Sequence, residues 1–302
     1  MKFGFVFSGQ GAQAVGMGKD LFDQLPAAAD IFKRADKALG WSVSEICFNG
    51  PMEKLTETRY CQPEIYVMSV AALEAFRQKF PSVKAEATAG LSLGEFTAAY
   101  AAGAFTFEEG LQILEKRATY MQEACVATKG TMASIMKSEL SVIQECCKTA
   151  DCDVANINCQ GQVVISGEEA KVQAAIALLK EKGAKAIPLK VAGAYHSRLM
   201  KSAEEKLGAY LANISLTAPA IPVAQNFIGK LEKDPQNLKA NIIKQVTGSV
   251  QWIDCISSMA AIGIDTIIEF GPGNVLTGLA KKIKADMNTA NINSVATLEA
   301  YK

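Results

Sequence analysis

Charge of one sign is what this sequence most plainly lacks. Its 302 residues carry 31 Lys and Arg against 31 Asp and Glu, which excludes a general attraction to nucleic acid or an anionic membrane and leaves only local patches. Long apolar runs are missing too. No stretch approaches the roughly 20 residues that cross a bilayer. Histidine occurs once, as His196, so a multi-histidine metal centre is excluded. The eight cysteines (Cys47, Cys61, Cys125, Cys146, Cys147, Cys152, Cys159 and Cys255) contain no C-x-x-C pair. They read as reduced, semi-buried thiols of a cytoplasmic protein, with neither a disulfide framework nor a zinc site. Two nucleotide-binding patterns also fail. The loop Gly9-Gln10-Gly11-Ala12-Gln13 has Ala14 where G-x-G-x-x-G needs its last glycine. Gly18-Lys19 has Gln13 at the position of the first P-loop glycine and Asp20 after the lysine.

What is present suits a well-packed globule, 49% hydrophobic and 21% charged, large enough for one domain with a smaller one inserted. The opening MKFGFVFSGQG holds too short an apolar stretch for a secretory leader, and Lys2 to Phe7 reads as a strand running into a glycine-punctuated loop. Helical patterning covers about 17–39 and 63–80. A β-prone piece, Glu86 to Ala89, precedes a helix from Glu95 to Ala102. Phe107 to Cys125 is a strong amphipathic helix, with Phe107, Leu111, Leu114, Ala118, Met121 and Cys125 on one stripe.

Between 130 and 191 the order changes. Thr131–Met136 is β-prone and Glu139–Lys148 helical. Asp153–Asn158 and Gln162–Ser166 read as strands about a Gln160-Gly161 turn. Glu168–Lys182 is helical up to Gly183, and Ala184–Val191 is β-prone. That βαββαβ order is the split, ferredoxin-like arrangement. Then come helices near 197–211, 238–246 and 252–261, a proline-flanked run at 221–227, and a strand, Thr266–Phe270, turned by Gly271-Pro272-Gly273 into the helix 274–284. The expected fold is α/β. A large α/β-hydrolase-like domain with a mostly parallel sheet spans 1–126 and 195–302, and a small ferredoxin-like subdomain spans 127–194.

The chemistry starts at Gly90-Leu91-Ser92-Leu93-Gly94. G-x-S-x-G between a strand and a helix is the pattern of a nucleophile elbow, which exposes a serine hydroxyl on a tight turn. A serine needs a base within hydrogen-bond reach, and His196 is the one imidazole, placed where a strand ends and a helix begins. Arg117 falls at the edge of the buried stripe of its helix and requires an anion. That anion is an internal carboxylate or the carboxylate of a substrate, clamped in bidentate fashion. The glycine-rich loop after the first strand is placed to aim an amide at a developing oxyanion, with Leu93, the residue after the nucleophile, giving the second.

In this order the segments Gly9–Gln13, Gly90–Glu95, Arg117, Gly193-Ala194-Tyr195-His196-Ser197, Gln245 and Gly271–Leu279 resemble the malonyl-CoA:acyl-carrier-protein transacylases and the related acyltransferase domains of polyketide synthases. The resemblance spans nearly the whole chain. It implies ping-pong transfer in fatty acid biosynthesis through a malonyl ester of Ser92, with acyl carrier protein as transient partner and coenzyme A thioester as substrate rather than cofactor. It further implies His196 as general base, the amides of Gln10 and Leu93 as oxyanion hole, Arg117 on the malonyl carboxylate, and the main-chain carbonyl of Gln245 orienting the histidine. A cytoplasmic monomer without metal is expected. Leu91 replaces a histidine common in the family, and Tyr195 a common phenylalanine, which bears on acyl-unit choice. Lys185, Lys190, Arg198 and Lys201 are candidates for a basic carrier-docking patch. A serine hydrolase and a silent, carrier-binding acyltransferase-like protein are the alternatives.

Overall fold

The computed structural model describes all 302 residues. Its strands are β1 (Phe3–Phe7), β2 (Ala85–Gly90), β3 (Gly130–Met136), β4 (Asp153–Cys159) and β5 (Gln162–Glu168) in the first part of the chain. They continue as β6 (Lys185–Pro188), β7 (Val223–Gln225), β8 (Lys230–Glu232), β9 (Thr266–Phe270) and β10 (Asn288–Ile292). Six of them form one sheet in the order β10-β9-β1-β2-β7-β8. Every pairing in it is parallel except the terminal β7–β8 hairpin.

A parallel sheet covered by helices on both faces needs strands that are apolar on both sides, and β1, FGFVF, is such a strand. Phe5 and Phe7 turn to one face and meet Phe76 and Phe270 with ring centroids 5.0 to 5.9 Å apart. Val6 turns to the other and packs with Ala87, Ala89 and Met259. Both layers converge on the C-terminal ends of β1 and β2, where an open α/β sheet places its site.

The second sheet is antiparallel, in the order β4-β5-β3-β6, built from a continuous β-α-β-β-α-β segment. Period-2 alternation divides its faces. Ala133, Ile135, Val163 and Ile165 pack against the helices Leu140–Ala150 and Glu169–Glu181. Met132, Ser134, Gln162 and Val164 turn the other way and line a cavity shared with the large sheet. The small sheet thus roofs the space over the ends of β1 and β2.

Several elements differ from the sequence reading. The helical stretch 17–39 is two helices, Lys19–Gln24 and Pro26–Leu39, because Leu25 is extended and Pro26 starts a new first turn. The helix expected from Pro63 begins at Thr58 and carries Pro63 inside it. The strand expected to reach Val191 ends at Pro188, which leaves 189–197 as a loop. Strands β8 and β10 and the short helices Val43–Asn49 and Met52–Thr56 were not anticipated. β10, NTANI, is a half-buried edge strand paired only with β9, so its sequence lacks the apolar run of a central strand.

Candidate active site

Strand β2 ends at Gly90, the helix Gly94–Ala101 begins four residues later, and Ser92 lies between them with φ 55°. That left-handed conformation costs a non-glycine residue on the order of 1–2 kcal/mol. The two glycines make the turn possible. A Cβ on Gly90 would stand 1.9 Å from the Gly94 backbone, and one on Gly94 would stand 2.2 Å from the Phe7 carbonyl oxygen. Both obstacles are backbone, so neither can yield. Asn226 clamps the turn from outside: its Oδ1 accepts the Ser92 amide at 2.6 Å and its Nδ2 donates to the Gly90 carbonyl at 2.8 Å.

His196 ends the loop after β6, also left-handed at φ 53° and 3% exposed. Its Nδ1 lies 2.8 Å from the main-chain oxygen of Gln245. A carbonyl only accepts, so Nδ1 carries the proton and Nε2 presents its lone pair. Ser92 Oγ is 2.8 Å from that Nε2 and donates to it. Burial, reinforced by the nearby Arg117 charge, holds the imidazole down at about 4. The ring is therefore neutral and able to accept a proton at pH 7.

Arg117 comes from the helix Phe107–Ala127, whose Thr106–Glu109 capping box fixes its start. Periodicity placed it at the edge of the buried stripe; it is in fact 1% exposed. Of the two anions weighed for it, no internal carboxylate makes a direct ion pair, since no Asp or Glu oxygen lies within ion-pair distance of the guanidinium; the buried Glu95 carboxyl acts on it only from further off. Its partners are neutral. Nη1 donates to Gln62 Oε1 at 2.5 Å, and Nη2 donates to Ser92 Oγ at 3.0 Å and Gln245 Oε1 at 2.8 Å. Nε has no partner. Burial pulls its pKa down to about 10, which still leaves a cation at neutral pH. The guanidinium is thus a buried cation held only by amide oxygens and a hydroxyl, with one N–H unpaired.

Gln10 lines the cavity, and Leu93 precedes the first turn of the Gly94–Ala101 helix. Neither backbone amide donates to an acceptor within the protein. The cavity above Ser92 has a volume of about 650 Å³ and is bounded on its far side by Ser134, Asn156 and Asn158 of the small sheet. No cluster of His, Cys, Asp and Glu there could hold a metal ion.

Ser92, His196, Arg117 and Gln245 thus converge from four separate segments. Leu91 also borders the cavity. The Tyr195 hydroxyl is bonded to Thr58 Oγ1, which ties its polar end to the helix Thr58–Lys79. The basic patch is reduced. Arg198 is engaged by Asp151 and Asp153, and Lys201 by Glu204; Lys190 is at the cavity. Sequence reasoning gave no role to Asn226, Gln62 or the buried Glu95, although the one charged residue in the helix GEFTAAYA was a visible signal.

A strained serine on a strand-to-helix elbow, a neutral histidine turned by a carbonyl and a buried guanidinium beside the hydroxyl together define a serine acyltransferase. The chain belongs to the acyl transferase domain family, which matches residues 4–299. Within that family it is similar to the malonyl CoA-acyl carrier protein transacylase of Bacillus subtilis (strain 168), with 38% identity covering 99% of this chain and 95% of that one. Among solved structures, an acyl carrier protein S-malonyltransferase from Vibrio cholerae superposes with a TM-score of 0.96 at 38% identity, covering 100% of both chains. A malonyl-transacylase solved in complex with a type II polyketide synthase acyl-carrier protein superposes with a TM-score of 0.96 at 33% identity, covering 99% of this chain and 98% of that one.

Proposed function

We propose that this protein transfers a malonyl group from malonyl-CoA to the phosphopantetheine thiol of acyl carrier protein, through a malonyl ester of Ser92, in fatty acid biosynthesis. One observation carries the reading: Ser92 Oγ lies within hydrogen-bond distance of both a neutral imidazole and a buried guanidinium that has no carboxylate partner. A simple esterase has no use for that cation. An acyl group with a free carboxylate does.

In the first half-reaction the Ser92 hydroxyl passes its proton to His196 Nε2 as Oγ attacks the thioester carbonyl. The oxyanion is received by the unpaired amides of Gln10 and Leu93, in a role supported by their freedom from protein acceptors. His196 returns the proton to the departing coenzyme A sulfur. In the second half the carrier thiol gives its proton to His196, attacks the Ser92 ester, and the serine recovers its proton as leaving group. Arg117 pairs with the malonyl carboxylate throughout, which requires the carboxylate to displace Gln62 Oε1 from Nη1.

We read residues 1–126 and 195–302 as one hydrolase-like unit carrying nucleophile and base, with 127–194 inserted to roof the cavity. Support comes from the small sheet being built wholly within 130–188. We also read it as a cytoplasmic monomer that meets its carrier transiently; eight buried, free cysteines support a reducing compartment. Coenzyme A enters as substrate, and no cofactor is assigned.

The test is intact-protein mass after brief incubation with malonyl-CoA, for the parent and Ser92→Ala. The expected result is a malonyl adduct on the parent only, discharged by carrier protein. Steady release of free coenzyme A without an adduct would mean a hydrolase. Neither adduct nor release would mean a silent, carrier-binding protein. Methylmalonyl-CoA run alongside separates fatty acid supply from supply of another acyl unit to polyketide synthesis.

A further inference from the structure

The dyad has no acidic third member in contact with its histidine, yet a carboxylate stands one residue further out. Glu95 is fully buried on the first turn of the helix that follows the elbow. Its Oε1 accepts Gln225 Nε2 at 3.0 Å, and its Oε2 accepts the Asn226 amide at 2.8 Å and Gln245 Nε2 at 2.9 Å. Every partner is a donor. A cage of three donors suits a carboxylate, which only accepts, better than a carboxylic acid, whose proton would have to displace one of them. On balance burial raises the Glu95 pKa, with the three donors and the Arg117 charge pulling against it.

Each donor leads to a different part of the site. Asn226, whose amide Glu95 holds, clamps Ser92 and Gly90 through its side chain. Gln245, whose side-chain nitrogen Glu95 holds, also donates to the Ser92 carbonyl at 3.0 Å. Holding that nitrogen turns Gln245 Oε1 toward Arg117, while its main-chain oxygen carries His196. Gln225 is fixed in the required orientation, since its Oε1 accepts Asn241 Nδ2. The Arg117 guanidinium, with no ion pair of its own, has this carboxylate as its neighbouring negative charge.

Resting on the transferase reading, we propose that Glu95 is the positioning residue of the site. Its negative charge balances the buried Arg117 cation, and its three hydrogen bonds lock the Ser92 clamp and the His196 orienter into one unit. It touches no substrate. A neutral isostere, Glu95→Gln, keeps the volume but aims an NH₂ at one of the three donors and leaves Arg117 without a counter-charge.

The experiment uses acetyl-CoA, which makes no demand on the Arg117 clamp, with Glu95→Gln, Arg117→Met and the double variant compared with the parent. Active sites are counted by Ser92 acylation, and folding is followed by thermal melting. For Glu95→Gln the expected kcat falls 10- to 100-fold with KM within twofold of the parent. In the Arg117→Met background the same Glu95→Gln change should cost at least fivefold less, measured against Arg117→Met alone, because the uncompensated cation is gone. Parent-like kcat in Glu95→Gln would overturn the proposal. So would a double variant that shows the two losses simply multiplied, which would mean packing alone. If Glu95→Gln does not fold, the double variant must regain a cooperative melt; failure to do so also overturns it. A parent that forms no acyl-Ser92 even with malonyl-CoA would sink the transferase reading instead. The charge balance would then still be decided by the melting temperatures of the single and double variants.

Discussion

Replacing Arg117 with methionine separates the acyl-transfer chemistry from the recognition of a carboxylate. The side chain lies beside the nucleophile, with Nη2 3.0 Å from Ser92 Oγ, and it has no ion pair in the free protein. A malonyl carboxylate paired with it would be desolvated on both sides, and removing one partner of such a pair costs about 3–5 kcal/mol. At about 1.4 kcal/mol per tenfold in rate, kcat/KM for malonyl-CoA should fall roughly 150- to 5,000-fold. Acetyl-CoA has no carboxylate to lose. It is affected only through the missing hydrogen bond to Ser92 Oγ, worth about 1 kcal/mol, so its kcat/KM should change by less than roughly tenfold. The fold should survive, because burial already pushes the Glu95 pKa up and the carboxyl can take a proton once the cation is gone. The assay is steady-state transfer to carrier protein from the two thioesters, with the ratio of their kcat/KM values as readout. Equal losses for malonyl and acetyl would refute the clamp and reduce Arg117 to a structural residue.

Gly94→Ala should abolish acylation and lower Tm by several degrees, since its Cβ would stand 2.2 Å from the Phe7 oxygen and overpacking against backbone costs about 1–3 kcal/mol or more; a parent-like melt would show that the elbow can relax. Acylation by malonyl-CoA should be flat from pH 8 down to about 5 and half-maximal near 4, where His196 protonates; an acid limb near 6.5 would show an imidazole far less buried. The same residue sets a stability trend. Between about 4 and 6.5 the unfolded chain binds the proton and the folded one does not, so stability should decline by roughly 3 kcal/mol as pH falls through that window, as read by denaturant titration. Tyr195→Phe should leave the preference for malonyl over methylmalonyl within about threefold, because the hydroxyl it removes is bonded to Thr58 and its loss costs about 1 kcal/mol of stability; a larger change would place the hydroxyl in acyl-unit selection.

The parts of the site legible from sequence were those written in short-range terms. Two glycines at fixed distance from Ser92 announce the elbow because the obstruction they avoid is the turn's own backbone and the adjoining end of β1. The order of elements between 130 and 188 was legible for the same reason: hydrophobic periodicity and turn residues act within a few positions. His196 was found by being the single imidazole. Strand β10 was not legible because an edge strand needs no apolar run, whereas the break at Leu25 was written in Pro26, which disfavours a helical residue before it, and was passed over.

What only the tertiary structure decided is which groups meet. Gln245 lies 49 residues from His196 and 150 from Glu95 in sequence. Asn226 lies 134 from Ser92. No local preference encodes such pairings. They arise because the parallel sheet brings the ends of β1, β2 and β7 side by side, and buried polar groups delivered there must find partners among one another. Sequence alone determined that a serine would be held on a strained turn and that one histidine was available to serve it. The packed sheet determined that the histidine would be neutral, that Arg117 would be buried without an ion pair, and that a carboxylate would stand behind both, because burial and charge proximity are properties of the assembled core.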